Sequence, residues 1–140
     1  MANTVISKSS ISIDLAQAVA AAAVAKGVEM GKAFAVAITD EAGHLKAFTR
    51  MDGSPLLASE IAINKAKTAI GFGFPTHGWY DFIKDDGPLA LGAPHIRDLV
   101  IYGGGYPIVV DGAQVGAIGV SGGHYSEDMQ VAEAGLAITA

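Results

Sequence analysis

The chain has 140 residues, a net charge of −5 and no cysteine; 51% of its residues are hydrophobic and only 16% are charged. This length suits a single domain over residues 1–140, and the acidic balance argues against nucleic acid or an anionic membrane as a partner. The lack of cysteine excludes disulfides, thiolate metal sites and cysteine nucleophiles. Because a small chain has little interior in which to hide so much apolar surface, we expect a homo-oligomer.

The first predicted elements are a helix and a hairpin. Ser12 is the expected N-cap of a helix that runs to about Met30 and ends at Gly31. Residues 34–39 and 45–50 are typical of strands, and turn residues join them. The alanine-rich run within the helix continues into polar helical residues, so we interpret it neither as a signal peptide nor as a membrane span. We expect a cytoplasmic protein.

The next predicted helix carries the most informative residue of the chain. Ser54 is its expected N-cap and Pro55 its expected first residue. At 100° per residue, Lys65 lies in the middle of the apolar arc, between Ile61 and Ala69. A lysine that faces a core needs an anion, either a protein carboxylate or a ligand, unless its stem reaches water. Lys65 is therefore a candidate functional residue, with a structural ion pair as the alternative.

Residues 76–96 are the least regular segment. Thr76 is expected to cap a short helix, and the prolines and glycines of residues 85–95 indicate a loop. A long loop in a compact domain is often a binding or lid segment. The aromatic residues Trp79 and Tyr80 are therefore candidate ligand-binding residues.

The remainder of the chain predicts three strands and a final helix. The strands are expected at residues 98–102, 107–110 and 115–120, with a tight hairpin turn at Asp111-Gly112. Ser126 is the expected N-cap of the last helix, with acidic residues in its first turn. Hairpin-linked strands between helices indicate an α+β domain with an antiparallel sheet.

The glycine-rich stretches do not predict a nucleotide site. Residues 103–105 lack the lysine and hydroxyl of a phosphate loop, and residues 116–122 lack the strand–helix order of a dinucleotide fingerprint. Tight turns and close packing are the favoured interpretation. Ser121 resembles a nucleophile elbow only superficially. None of the four histidines has the spacing of a metal-ligand pair, so no metal site is predicted.

Charged residues near two turns are further candidates. Arg50 can grip a carboxylate through two hydrogen bonds, whereas Asp52 either pairs with Lys65 or shapes the turn, which is slightly favoured. The start of the last helix follows a glycine turn, a place that attracts anions and small ligands. There the candidate binding residues are Ser121 and Gly122, and the candidate proton-transfer groups are His124 and Asp128.

Six motifs in this order resemble the GlcG/HbpS family, which includes haem-binding and haem-degrading proteins. They lie at residues 36–43, 48–53, 65–69, 103–108, 116–122 and 126–135. The chain is also similar to the C-terminal domain of PduO-type corrinoid adenosyltransferases. The resemblance covers nearly the whole chain and implies a profilin-like antiparallel sheet with helices on both faces, in three layers, and assembly into oligomers.

The resemblance implies a small-molecule ligand, with haem or a related tetrapyrrole as the candidate cofactor. The family's haem-binding members use a histidine on the first helix, which this chain lacks. An axial ligand would then come from His77, Tyr80, Tyr102 or His124, and Lys65 and Arg50 would meet the propionates. The alternative is an isomerase, decarboxylase or lyase acting on a small organic acid held by Arg50 and Lys65, with Lys65 also a candidate catalytic base or Schiff-base former. A non-catalytic accessory protein is a third interpretation.

Overall fold

The computed structural model describes residues 2–140. Its helices are α1 (Ile13–Met30), α2 (Ala58–Phe72), α3 (Trp79–Ile83), α4 (Gly87–Gly92) and α5 (Tyr125–Leu136). Its strands are β1 (Ala35–Asp40), β2 (Leu45–Arg50), β3 (Gly105–Val110) and β4 (Ala113–Ser121). Short 3-10 turns lie at Thr76–Gly78, Ala93–His95 and Ala137–Thr139.

The four strands form one antiparallel sheet in the order β2-β1-β4-β3. In the central register, Ala37 lies opposite Phe48 on one side and Gly119 on the other. Asp111 and Gly112 join β3 and β4 with φ angles of 50° and 80°, as the predicted hairpin turn requires. The two central strands, β1 and β4, are the most buried part of the sheet.

Helices cover both faces of the sheet. Helices α1 and α5 pack on one face over a core of large side chains that includes Phe34, Ile118 and Val131. Helix α2 packs on the other face through a layer of buried alanines, among them Ala62 and Ala66. Such small side chains let the α2 backbone lie close to the sheet. The predicted α+β fold with helices on both faces is confirmed.

The first helix has the predicted ends, but the predicted N-caps Ser54 and Thr76 do not cap helices. Ser12 Oγ accepts a hydrogen bond from the Leu15 amide at 3.1 Å, and Gly31 ends α1 with a φ of 70°. Ser54 does not cap α2, because the chain first makes a turn in which the Ala58 amide donates to the Pro55 carbonyl. Thr76 starts a 3-10 turn that leads into α3, and its hydroxyl bonds to β3.

Two predicted segments are wrong. Residues 98–102 are not a strand, because Asp98 has a φ of 63° and the Val100 amide donates to Thr68 Oγ1 on α2 rather than to a neighbouring strand. Residues 85–95 are not a plain loop. They contain α4, whose first turn is capped by Asp86 Oδ1, which accepts from the Leu89 amide at 3.2 Å.

Several large apolar side chains stay on the surface. Phe72, Phe82 and Leu91 are 59%, 61% and 77% exposed. A homo-oligomer that covers such residues stays a prediction. Within residues 2–140, no helix is both long and apolar enough to cross a membrane.

Candidate functional site

Lys65 is completely buried, as the helical pattern predicts, and it is paired. Its ammonium donates to Asp128 Oδ2 at 2.8 Å and to the Val120 carbonyl at 2.9 Å. Asp128 is 2% exposed, and its Oδ1 accepts the Gly123 amide at 3.0 Å. The pair therefore joins α2 to α5 and to the end of β4, across one end of the sheet.

Burial opposes charge on both partners of this pair. Removal from water lowers the pKa of Lys65, and the Asp128 carboxylate acts against that shift. Removal from water likewise raises the pKa of Asp128, while the Lys65 ammonium and the Gly123 amide favour its ionised form. The environment thus brings the proton affinities of the two groups closer together than they are in water.

The Lys65–Asp128 pair lies next to the partly exposed side chain of Tyr102. The Lys65 ammonium is 5.1 Å from the centre of the Tyr102 ring, within the range of a cation–π contact. Gly104 leaves the space that this contact needs, because a Cβ there would lie 2.7 Å from the Lys65 ammonium. Tyr102 is 44% exposed, so the ring contacts both the buried pair and the solvent side.

Tyr102 forms part of a pocket of about 430 Å³, here called the aromatic pocket. This volume is within the range of about 300–1,000 Å³ typical of small-molecule sites. Its rings come from three separate segments: the 3-10 turn and α3, the irregular segment before β3, and the start of α5. The lining residues are His77, Tyr80, Asp81, Ile101, Tyr102, Gly103 and Tyr125.

The remaining ring contacts hold one wall of the aromatic pocket together. The ring centres of Tyr102 and Tyr125 are 6.4 Å apart, and those of Tyr125 and His124 are 4.1 Å apart. At the rim, the Lys84 ammonium is 5.9 Å from the centre of the Tyr80 ring and 3.0 Å from Asp81 Oδ1. Lys84 is thus a cation beside the pocket that the sequence interpretation did not consider.

The predicted site residues do not all come together. Tyr80 and Tyr102 line the aromatic pocket, and Lys65 and Asp128 lie beside it. Trp79 does not line the aromatic pocket. It is 6% exposed, its ring centre is 5.1 Å from that of Phe74, and it lines a separate apolar groove.

Arg50 and Asp52 lie at and just after the end of β2, the edge strand of the sheet. Arg50 ends the edge strand β2, exposed to solvent, and Asp52 is exposed in the turn that follows. Two strand spacings of about 4.8 Å separate β2 from β4, where the Lys65 ammonium is bound. The carboxylate that pairs with Lys65 is Asp128, not Asp52.

His124 caps the start of α5. His124, and not the predicted Ser126, is the N-cap. Its Nδ1 accepts a hydrogen bond from the Ser126 amide at 3.2 Å, and its own amide donates to Glu127 Oε1 at 3.0 Å. Ser121 is buried at the end of β4. Gly122 has a φ of 150°, and a Cβ there would lie 2.7 Å from the Ala33 carbonyl. Both residues thus lie in the tight packing that brings Asp128 to Lys65.

Part of the pocket lining was not predicted from the sequence. Ile101 and Tyr125 were not candidate site residues, and His77 was a candidate only as an axial ligand. Three segments distant in the chain converge there, and no local pattern encodes that convergence. Among residues 2–140, no cluster of histidine and carboxylate side chains could hold a metal ion.

Comparison with known proteins identifies the family. The family model described as haem-degrading protein HbpS-like matches residues 11–137. The chain belongs to the HbpS-like family. The predicted resemblance is therefore confirmed.

Two curated relatives of this HbpS-like chain differ in how much of their own length it matches. Protein GlcG of Escherichia coli is 36% identical over 111 residues, which cover 76% of this chain and 81% of GlcG. Corrinoid adenosyltransferase PduO of Salmonella typhimurium is 33% identical over 117 residues, which cover 83% of this chain but only 35% of PduO.

A solved structure with a ligand is also similar. The crystal structure of a PduOC:heme complex superposes with a TM-score of 0.84 at 29% identity, covering 91% of this chain and 94% of that chain. The similarity extends over nearly the whole HbpS-like fold described above.

Proposed function

We propose that this protein binds haem or a related planar tetrapyrrole in the aromatic pocket. The observation that carries the proposal is the lining itself, in which three tyrosine rings and one imidazole line an open pocket of about 430 Å³. Flat aromatic walls suit a flat apolar macrocycle. Membership of the HbpS-like family and the similarity to a PduOC:heme complex support the same ligand class.

The donor groups at the pocket fit haem. An imidazole and phenol oxygens are both known axial ligands of haem iron. Lys84 at the rim offers a cation to a propionate, although Asp81 competes for it. Lys65 is occupied by Asp128 and out of reach of solvent, so it supports the pocket through Tyr102 instead of binding a propionate. Bound haem would supply redox and oxygen chemistry at this place.

Replacing Tyr80 with alanine is expected to weaken haemin binding by roughly two- to twelvefold. This factor corresponds to the 0.5–1.5 kcal/mol that aromatic contacts typically contribute. Tyr80 is 65% exposed, so its loss leaves the core intact. Absorbance titration with haemin measures the change in affinity.

Phe82→Ala provides the matched control, because Phe82 lies on the same short helix, is 61% exposed and lines the apolar groove instead. Equal effects of the two substitutions would place haemin outside the aromatic pocket.

An enzyme that acts on a small organic acid is the second candidate. It is favoured by the buried Lys65–Asp128 pair beside the pocket. Burial lowers the pKa of Lys65 and raises that of Asp128, as is common for proton-transfer groups in active sites. The ammonium would have to leave its pair to reach a substrate. Thermal stabilisation by a carboxylic acid, with no saturable haemin binding, would favour this candidate over haem.

A further inference from the structure

We infer that His77 is the side chain that ligates the iron when haem occupies the aromatic pocket. The inference rests on the proposed function and names the residue of this chain that would hold the metal. Helix α1, by contrast, contains no histidine.

His77 lies on a turn that is held on both sides. Thr76, directly before it, is fully buried, and its Oγ1 accepts the Gly105 amide of β3 at 2.9 Å. Trp79, two residues later, is 6% exposed, with its ring centre 5.0 Å from that of Phe72. The exposed imidazole is therefore presented by a turn whose two neighbours are anchored in the fold.

The imidazole is also supported from one side. Its ring centre is 5.4 Å from that of Tyr106, whose hydroxyl donates to Glu133 at 2.7 Å. Gly103 lies close to the turn, because a Cβ there would lie 3.3 Å from the His77 Cβ and 2.4 Å from Met129 Sδ. These contacts hold the ring at the pocket wall before any ligand arrives, which reduces the entropic cost of ligation.

The nitrogens of His77 are free to ligate. Within residues 2–140, His124 is the histidine whose ring forms a hydrogen bond. Its Nδ1 bonds to Ser126 at the start of α5. His95 lies on the 3-10 turn after α4 and does not line the aromatic pocket. His77 is thus the histidine that combines pocket position with unengaged ring nitrogens.

Chemistry favours His77 over the tyrosines of the pocket. An imidazole binds iron through a nitrogen lone pair without losing a proton, whereas a phenol must lose its proton to bind as the phenolate. Tyr80, Tyr102 and Tyr125 are therefore assigned as stacking walls of the pocket.

The test uses protein labelled with ¹⁵N at histidine and ferric haemin at natural abundance. Electron–nuclear double resonance then detects a histidine nitrogen bound to the iron, separately from the porphyrin nitrogens. We expect a ¹⁵N coupling in the wild-type complex, its loss in His77→Ala, and its retention in His95→Ala, the matched control on another exposed turn. Haemin affinity should fall at least about tenfold in His77→Ala alone.

Each other outcome has a definite meaning. Persistence of the coupling in His77→Ala would overturn the assignment, since another histidine would be the ligand. Saturable haemin binding with no ¹⁵N coupling in the wild type would also overturn it and point to a tyrosine, while the proposed function would stand. Failure of the wild type to bind haemin at all would overturn both.

Discussion

Replacing Lys65 with methionine is expected to destabilise the fold by about 3–5 kcal/mol, the cost typical of leaving one half of a buried ion pair alone. Methionine keeps much of the stem volume but strands the Asp128 carboxylate, which is 2% exposed. Urea denaturation at pH 7 measures the loss. If Lys65→Met unfolds at the wild-type urea concentration, the pair does not stabilise the protein.

The double variant Lys65→Met/Asp128→Asn should recover much of this stability. Asparagine carries no charge, and its side-chain oxygen can still accept the Gly123 amide that Asp128 accepts at 3.0 Å. A double variant as unstable as Lys65→Met alone would show that packing of the lysine stem, and not the stranded charge, is what matters.

The stability of Lys65→Met should also depend on pH in a defined direction. Burial raises the pKa of Asp128, and in this variant the ammonium that opposes the shift is gone. Above pH ~4 the native state then holds a proton that the unfolded state releases, so the free energy of unfolding increases as the pH falls. The defect relative to wild type should therefore shrink from pH 8 to pH 5. A defect that grows on acidification would contradict this reasoning.

Replacing Gly119 with alanine is expected to cost about 3 kcal/mol or more, the upper end of overpacking effects. The added Cβ would lie 2.0 Å from the Ala62 carbonyl and 2.5 Å from the Ala66 amide, both in the backbone of α2. Helix and sheet would have to move apart along the alanine layer. Denaturant unfolding measures the loss.

Gly71→Ala is the matched control in α2, because a Cβ there meets nothing within 4 Å. It should stabilise the protein by about 0.5–1 kcal/mol. Similar small effects of both substitutions would mean that α2 does not pack as closely on β4 as described.

The sequence predicted the features that depend on local patterns. The helical period placed Lys65 inward, and the structure buries it completely. Gly119 and Gly122 were interpreted as close packing, and a Cβ at either position would lie less than 3 Å from backbone atoms of another segment. The hairpin at Asp111-Gly112 was predicted from turn chemistry alone, since those residue types tolerate positive φ.

Other features depend on partners that are distant in the chain. The partner of Lys65 is Asp128, 63 positions away, and nothing local distinguishes it from Asp52. Residues 98–102 have a strand-like composition, but the Thr68 hydroxyl takes the Val100 amide at 3.1 Å and prevents strand pairing there. The aromatic pocket likewise exists only once α3, the segment before β3 and α5 have come together.

The location of bound haem is tested most directly by nuclear magnetic resonance of the ¹⁵N-labelled protein with haemin. Ferric iron broadens amide signals near it, whereas zinc protoporphyrin of the same shape does not. We predict that haemin selectively broadens the amides of His77, Tyr102, Gly103 and Tyr125, and that zinc protoporphyrin shifts the same signals without broadening them. Broadening centred on α1 or on the apolar groove, with these four signals unchanged, would contradict the proposed site.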